Sequence, residues 1–203
     1  FMGFKLAKVC PYIESADLVI GETTCDGKKK AYELLGDIHN VWVMELPQMK
    51  RDQDLAMWRA EIVELVAKAE GLTGRKVSAE SLGAAIKEVN DKRRALQRIA
   101  ATRAADPVPI SGKDALLATQ VAFYDDVPRF TQSMNALADE LEARVAAGEG
   151  VAPKGAKRVL VTGTPMALPN WKLHDIVEKA GGVVVGEEMC TGSRYYQDLV
   201  SEE

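Results

Sequence analysis

The apolar positions change period twice along the chain, and those changes divide it into three parts. Apolar and β-branched residues run together over 16–21 and again over 41–46, while between them, over 28–38, they recur at helical spacing. That order predicts strand, helix, strand, with Pro47 closing the second strand. Beyond it the helical period takes over. Asp52 or Asp54 would cap a helix carrying Leu55, Trp58, Ile62, Leu65 and Val66 on one face, ending at Gly71-Leu72-Thr73-Gly74. Ser78 would cap a second, with Leu82, Ile86, Val89, Leu96 and Ile99 as its stripe, broken by Pro107 and Pro109. Ser111 caps a third, through Leu117 and Val121, and Pro128 opens a fourth over 130–145. After a linker at Gly148, Gly150 and Pro153 the mixed pattern returns: a strand at 159–162, a loop through Gly163, Pro165 and Pro169, a helix at 171–180, a strand at 183–185 and a last helix from near Ser193.

The expected fold class is therefore α/β: two Rossmann-like parallel α/β units, 1–50 and 151–203, joined by a helical segment, 51–150. Each unit offers only two strands. A two-stranded parallel sheet with both edges open is not stable by itself, so the chain is expected to be truncated, its second unit incomplete, or to finish its sheets against another chain. Its start, Phe1-Met2-Gly3-Phe4, reads as a loop with no element before it. The three tryptophans, Trp42, Trp58 and Trp171, are expected in cores.

The chemistry sits in a motif written once near each end. Val19-Ile20-Gly21-Glu22-Thr23-Thr24-Cys25-Asp26-Gly27 is matched by Val184-Val185-Gly186-Glu187-Glu188-Met189-Cys190-Thr191-Gly192, with the shared core G-E-x-x-C-x-G and an amphipathic stretch after it that ends in Leu34-Leu35 or Leu199-Val200. Each copy reads as strand, tight loop, helix, and puts a thiol at the carboxyl end of a strand, where open α/β sheets place their ligands and a helix N-terminus favours negative charge. Two such units facing each other would present two thiols to one space. Gly27 and Gly192 would let the backbone turn closely around an inorganic group. Cys10, the remaining cysteine, lies in Val9-Cys10-Pro11-Tyr12, expected as a loop held extended by Pro11. A free cysteine is often just a small buried hydrophobe; a core residue, however, has no need to carry Gly-Glu and Gly along with it. Glu22 and Glu187 are read as partners for backbone donors in their loops, ahead of a role in relaying protons.

Composition narrows the setting. With 203 residues, 47% hydrophobic, 28% charged and a net charge of -4, the profile is that of an ordinary globular chain with no field for nucleic acid. No apolar stretch has the length of a membrane span, and no secretory pattern opens the chain. Three cysteines, an odd count, point to a reducing cytoplasm over a disulfide framework. The basic clusters Lys28-Lys29-Lys30 and Lys92-Arg93-Arg94 read as solvated helix faces, the first close enough to Cys25 to offset an anionic group. A competing reading makes the three cysteines and His39 or His174 a structural zinc site, although both histidines fall in helical patterns where a surface position is expected. A third places a nucleotide or CoA on Gly163-Thr164-Pro165, which lacks both the G-x-G-x-x-G and the Walker patterns.

Several runs together resemble the 2-hydroxyacyl-CoA dehydratase and benzoyl-CoA reductase family, with the double-cubane cluster branch nearest. They are Lys8-Val9-Cys10-Pro11-Tyr12, the stretch from Ala16 through Cys25 to Lys30, Val161-Thr162-Gly163-Thr164-Pro165-Met166-Ala167-Leu168-Pro169-Asn170-Trp171-Lys172, and Glu187-Glu188-Met189-Cys190-Thr191-Gly192-Ser193-Arg194-Tyr195. Ala105-Asp106-Pro107 and Pro109-Ile110-Ser111-Gly112 extend the likeness into the helical middle. The resemblance implies an anaerobic iron-sulfur enzyme, a dehydratase or reductase, with its cluster between two Rossmann-like domains. It implies a 4Fe-4S cubane or a double cubane as cofactor, with Cys10, Cys25 and Cys190 as the matching ligands. It also implies a dimer, an ATP-hydrolysing activator iron-sulfur protein as electron donor, and an acyl-CoA or other small molecule as substrate. Members are about twice this length and draw further cysteines from segments outside it.

Overall fold

The computed structural model describes residues 2–166 and 169–203; Phe1, and Ala167 and Leu168 within the expected 163–169 loop, lie outside the described residues. The chain forms two compact units, Phe1–Val77 and Ser78–Glu203.

In the first unit, helix α1 (Met2–Leu6) and the single turn α2 (Pro11–Glu14) precede strand β1 (Val19–Glu22), helix α3 (Asp26–Gly36), strand β2 (Val41–Met44) and the long helix α4 (Asp52–Thr73). The expected opening loop is thus a short helix from Met2. Pro11 does not extend the chain as expected but starts a helical turn, because a proline at the first helical position loses no bond and brings its φ ready-made. Strands β1 and β2 pair in parallel, Val19 to Val41 through Glu22 to Met44. Their core is Cys10, Ile13 and Leu35, with Met2, Val19 and Val41 packed against them. The expected buried strand is only half covered: Ile20 is exposed, since α3 covers one face of the pair. Helix α4 begins at the Arg51 cap, where Asp54 takes hydrogen bonds from the Arg51 backbone and guanidinium, and ends on Gly74 in the left-handed region (φ 69). Its apolar stripe is not buried; Leu55 and Ile62 are exposed, and Asp54 is its one buried residue.

The second unit opens with α5 (Ala79–Thr102), capped by Ser78, followed by α6 (Gly112–Val121), capped by Ser111, and α7 (Val127–Ala147). Strand β3 (Lys157–Thr162), α8 (Lys172–Lys179), β4 (Gly182–Glu188) and the turn α9 (Ser193–Tyr196) complete it. Strands β3 and β4 pair in parallel, with an irregularity at Val159/Leu160. Among the described residues its apolar core falls in three clusters: Ile99, Ile110, Ala115, Ala138 and Leu141 between the helices, Leu96, Ala122, Phe130 and Tyr196 beside them, and Val161, Val184 and Met189 at the sheet. The amphipathic helix expected after Cys190 is cut to one turn. Leu199 and Val200 are exposed, and the chain there is held extended by Asn90, which donates to the Val200 carbonyl (2.7 Å) and accepts from its N–H (3.0 Å). The three tryptophans are half-buried rather than in cores; Trp42 lies under the Lys68 ammonium at 4.9 Å and Trp171 under that of Lys113 at 5.8 Å, so the rings serve as apolar platforms for long cationic side chains.

Two helical glycines have opposite surroundings. A Cβ at Gly112 would fall 2.4 Å from the Cβ of Val184, so α6 approaches β4 only because that position is glycine, whereas a Cβ at Gly83 meets nothing within 4 Å. Gly112→Ala is therefore expected to destabilise the chain by about 1–3 kcal/mol through overpacking, and Gly83→Ala to stabilise it by about 0.4–1 kcal/mol. Urea unfolding of the two variants checks both signs.

Candidate functional site

The three cysteines are free thiols placed by three different local devices. Cys10 caps α2 in extended geometry and is buried, with the Lys5 ammonium donating to Sγ at 2.5 Å. That hydrogen bond, with a backbone one from Ile13, outweighs burial and holds the thiol below its usual range, so the cation favours thiolate. Cys25 is the exposed N-cap of α3; its carbonyl accepts from the N–H groups of Lys28 and Lys29, both at 2.9 Å, and its side chain makes no capping bond. It lines an open concavity with Met2, Gly27, Lys28, Lys30, Ala31 and Leu34. Lys29 pairs with Asp26 (3.2 Å) and Lys30 with Glu33 (2.5 Å), and Lys28 adds its cation to the same wall. Cys190 is exposed in the turn between β4 and α9, near the charge of Arg194, which pairs with Glu188. Cys10 and Cys25 belong to the first unit and Cys190 to the second. Among the described residues, no three histidines, cysteines or carboxylates are gathered as a metal site.

The two copies of G-E-x-x-C-x-G share a sequence but not a set of contacts. The first glycine is packed differently in the two: a Cβ at Gly21 would sit 2.6 Å from the Tyr32 ring, while one at Gly186 would meet, at 2.9 Å, only the tip of the exposed Leu160 side chain, which can move aside. The second differs too. Gly27 has open space around it, while a Cβ at Gly192 would fall 2.2 Å from the Glu187 carbonyl oxygen, so the close approach expected toward an inorganic group is made at Gly192 to the chain's own backbone. The glutamates diverge most. Glu22 accepts from the Thr24 N–H at 2.8 Å, serving a loop donor as expected. Glu187 is buried, and its partners are side chains: Arg103 donates at 2.7 and 2.8 Å, and His174 Nε2 lies at 3.1 Å.

His174 is thereby corrected from an expected surface histidine to a fully buried one on α8, its Nε2 committed to Glu187 and its Nδ1 without a partner among the described residues. A zinc site using Nε2 would have to break that bond. His39 is mostly buried and faces Glu14 at 3.4 Å. Arg103 is the residue sequence reasoning missed: it ends α5, donates also to the Val184 carbonyl (2.9 Å), and its own carbonyl accepts from Arg158 (2.7 Å). Its signal in the sequence was a single arginine past the last apolar position of a helix, indistinguishable from a surface charge. Burial pushes the Glu187 carboxyl up, but hydrogen bonds from Arg103 and His174, with their charge, bring it below the ordinary range.

Breaking this pair from one side leaves a buried charge uncompensated. Glu187→Ala is expected to cost about 3–5 kcal/mol in urea unfolding. Because the folded carboxyl titrates below the unfolded one, its contribution is complete above the ordinary value of 4.5 and is lost as pH falls through the folded value; stability measured on the acid side of pH 4.5 should fall less steeply in Glu187→Gln than in the wild type.

The sequence has relatives among known proteins. It matches the family described as 2-hydroxyglutaryl-CoA dehydratase, D-component, over residues 1–203. It is 36% identical over 202 residues to the putative dehydratase subunit YjiM of Escherichia coli K12, covering 98% of this chain and 52% of that protein. It is 27% identical over 162 residues to a benzoyl-CoA reductase subunit of Thauera aromatica, covering 77% of this chain and 40% of that one. The chain thus spans about half the length of the curated relatives it matches. With the match running from end to end and both cysteine motifs inside it, the chain belongs to the 2-hydroxyglutaryl-CoA dehydratase D-component family.

Proposed function

We propose that this chain is the part of an iron-sulfur dehydratase or reductase that supplies Cys10, Cys25 and Cys190 as cluster ligands. The observation that carries the reading is the whole-length family match together with two thiols, Cys25 and Cys190, exposed at the same point of a repeated motif. The donor chemistry fits. All three cysteines are free, and thiolate sulfur is the ligand iron-sulfur clusters use. Lys5 holds Cys10 toward thiolate, and Lys28 and Arg194 set positive charge beside Cys25 and Cys190, which would offset an anionic cluster and tune its potential.

The cluster, a 4Fe-4S cubane or a double cubane, would supply one-electron chemistry at low potential and an iron open to substrate or to a second cubane. This chain's residues would hold the iron and balance its charge. The substrate class is an acyl-CoA thioester, as the names of the family and of benzoyl-CoA reductase indicate for those proteins, or another small molecule reduced at the open iron. An ATP-hydrolysing activator iron-sulfur protein would deliver the electrons, and the assembly would be a dimer in a reducing cytoplasm. Among the described residues, no helix is long and apolar enough to cross a membrane.

Anaerobic reconstitution followed by iron and acid-labile sulfide analysis and a visible spectrum tests the ligand assignment. Bound iron and sulfide with a broad absorbance are expected for the wild-type chain, and their loss is expected in the Cys25→Ser, Cys190→Ser variant. Iron retained in that variant, or a colourless chain that takes up zinc instead, would refute it.

A further inference from the structure

We infer that Arg103 and His174 are positioning residues for Cys190, acting through Glu187 to hold the turn that presents its thiol. The inference rests on the reading of Cys190 as a ligand for its purpose, but the geometry stands apart from it. On the strand side, Arg103 grips β4 at two points, the Val184 carbonyl and the Glu187 carboxylate, while Arg158 fixes the Arg103 carbonyl to β3. On the far side, Gly192 folds back so closely on the Glu187 carbonyl that no side chain fits there, and its N–H donates to the Met189 carbonyl at 3.0 Å. Met189 is fully buried against Val161 and Val184, and its Sδ accepts from the Met166 N–H at 3.5 Å. Residues on both sides of Cys190 are therefore clamped inward, and Cys190 alone at the apex is exposed.

Stability does not explain why the clamp is ionic. A buried ion pair gains little over well-packed apolar groups of the same volume, since desolvation cancels most of the attraction. What it adds here is direction. Two Arg103 donors and His174 Nε2 converge on one carboxylate, which sets the rotation of Glu187 about β4 and so the position of the carbonyl on which Gly192 rests. Glu22, the equivalent residue in the first copy, serves a backbone N–H instead, and there an eleven-residue helix follows the cysteine and fixes it. The second copy has only the four-residue α9 after its cysteine, so the turn is held from the strand side.

The test removes all the charged side chains together in one triple variant and, separately, only the Glu187 charge, which leaves Arg103 without its counter-ion. In Arg103→Met, His174→Leu, Glu187→Met, and separately in the isosteric Glu187→Gln, amide exchange at Gly192 is compared with that of the β3–β4 ladder, and iodoacetamide alkylation of Cys190 is compared with that of Cys25 by peptide mass spectrometry. We expect Gly192 to exchange at least about tenfold faster relative to the ladder, the behaviour of a local opening, and the Cys190 alkylation rate to change while that of Cys25 does not. Gly192 and Cys190 behaving as in the wild type in a folded variant would overturn the assignment, and so would Cys25 shifting in step with Cys190, which would mark general loosening. The triple variant has no orphaned charge and is the one to read if Glu187→Gln does not fold. None of these readouts needs a cluster: a wild-type chain that binds no iron but loses its Gly192 protection in the variants would refute the proposed function and leave this inference standing.

Discussion

The second unit depends on a carboxylate buried at the end of a strand. Glu187 can be there only because Arg103 and His174 reach it, Arg103 from the end of α5 through its long side chain. Removing a carboxylate from water costs several kcal/mol in the absence of partners, of the order that holds a whole domain together. The elements that supply the partners are thus tied into one arrangement. Helix α6 is drawn against the same strand through Gly112, and Gln120 on that helix donates to the Met166 carbonyl in the loop after β3. A break at Glu187 is felt across α5, α8, β4 and the Cys190 turn together.

The first unit is held differently. Its core is a small apolar cluster under α3, and beside it the Lys5 ammonium sits on the Cys10 thiol. There the cation meets a polarisable sulfur that it drives toward thiolate. Both strand pairs leave apolar residues such as Ile20 and Leu160 uncovered, and the family relatives carry about as much chain again beyond the matched region.

The repeated motif shows how one sequence pattern serves two sets of forces. A side chain at Gly21 would run into the Tyr32 ring, whereas at Gly186 it would meet only the movable tip of the exposed Leu160 side chain. Glu22 and Glu187 both stand three residues before a cysteine, yet one serves a backbone N–H and the other anchors an ion pair. The cysteine is what stays constant. Each is free and exposed just beyond a strand.

Much of the molecule was legible from residue order alone, wherever the governing physics is local. Helical periodicity and the caps at Ser78, Ser111 and Gly74 placed α4, α5 and α6, because capping bonds join groups three or four positions apart. The parallel strand pairs and the two exposed thiols followed from short apolar runs and a repeat. Tertiary structure alone decided what depends on partners distant in the chain: that His174 is buried, that Arg103 serves Glu187, that the stripe on α4 stays uncovered, and that the chain after Cys190 is pinned by Asn90 rather than coiled into a helix. A buried charge looks like a surface charge in a sequence, since its cost is set by neighbours that only the folded chain brings within hydrogen-bond reach.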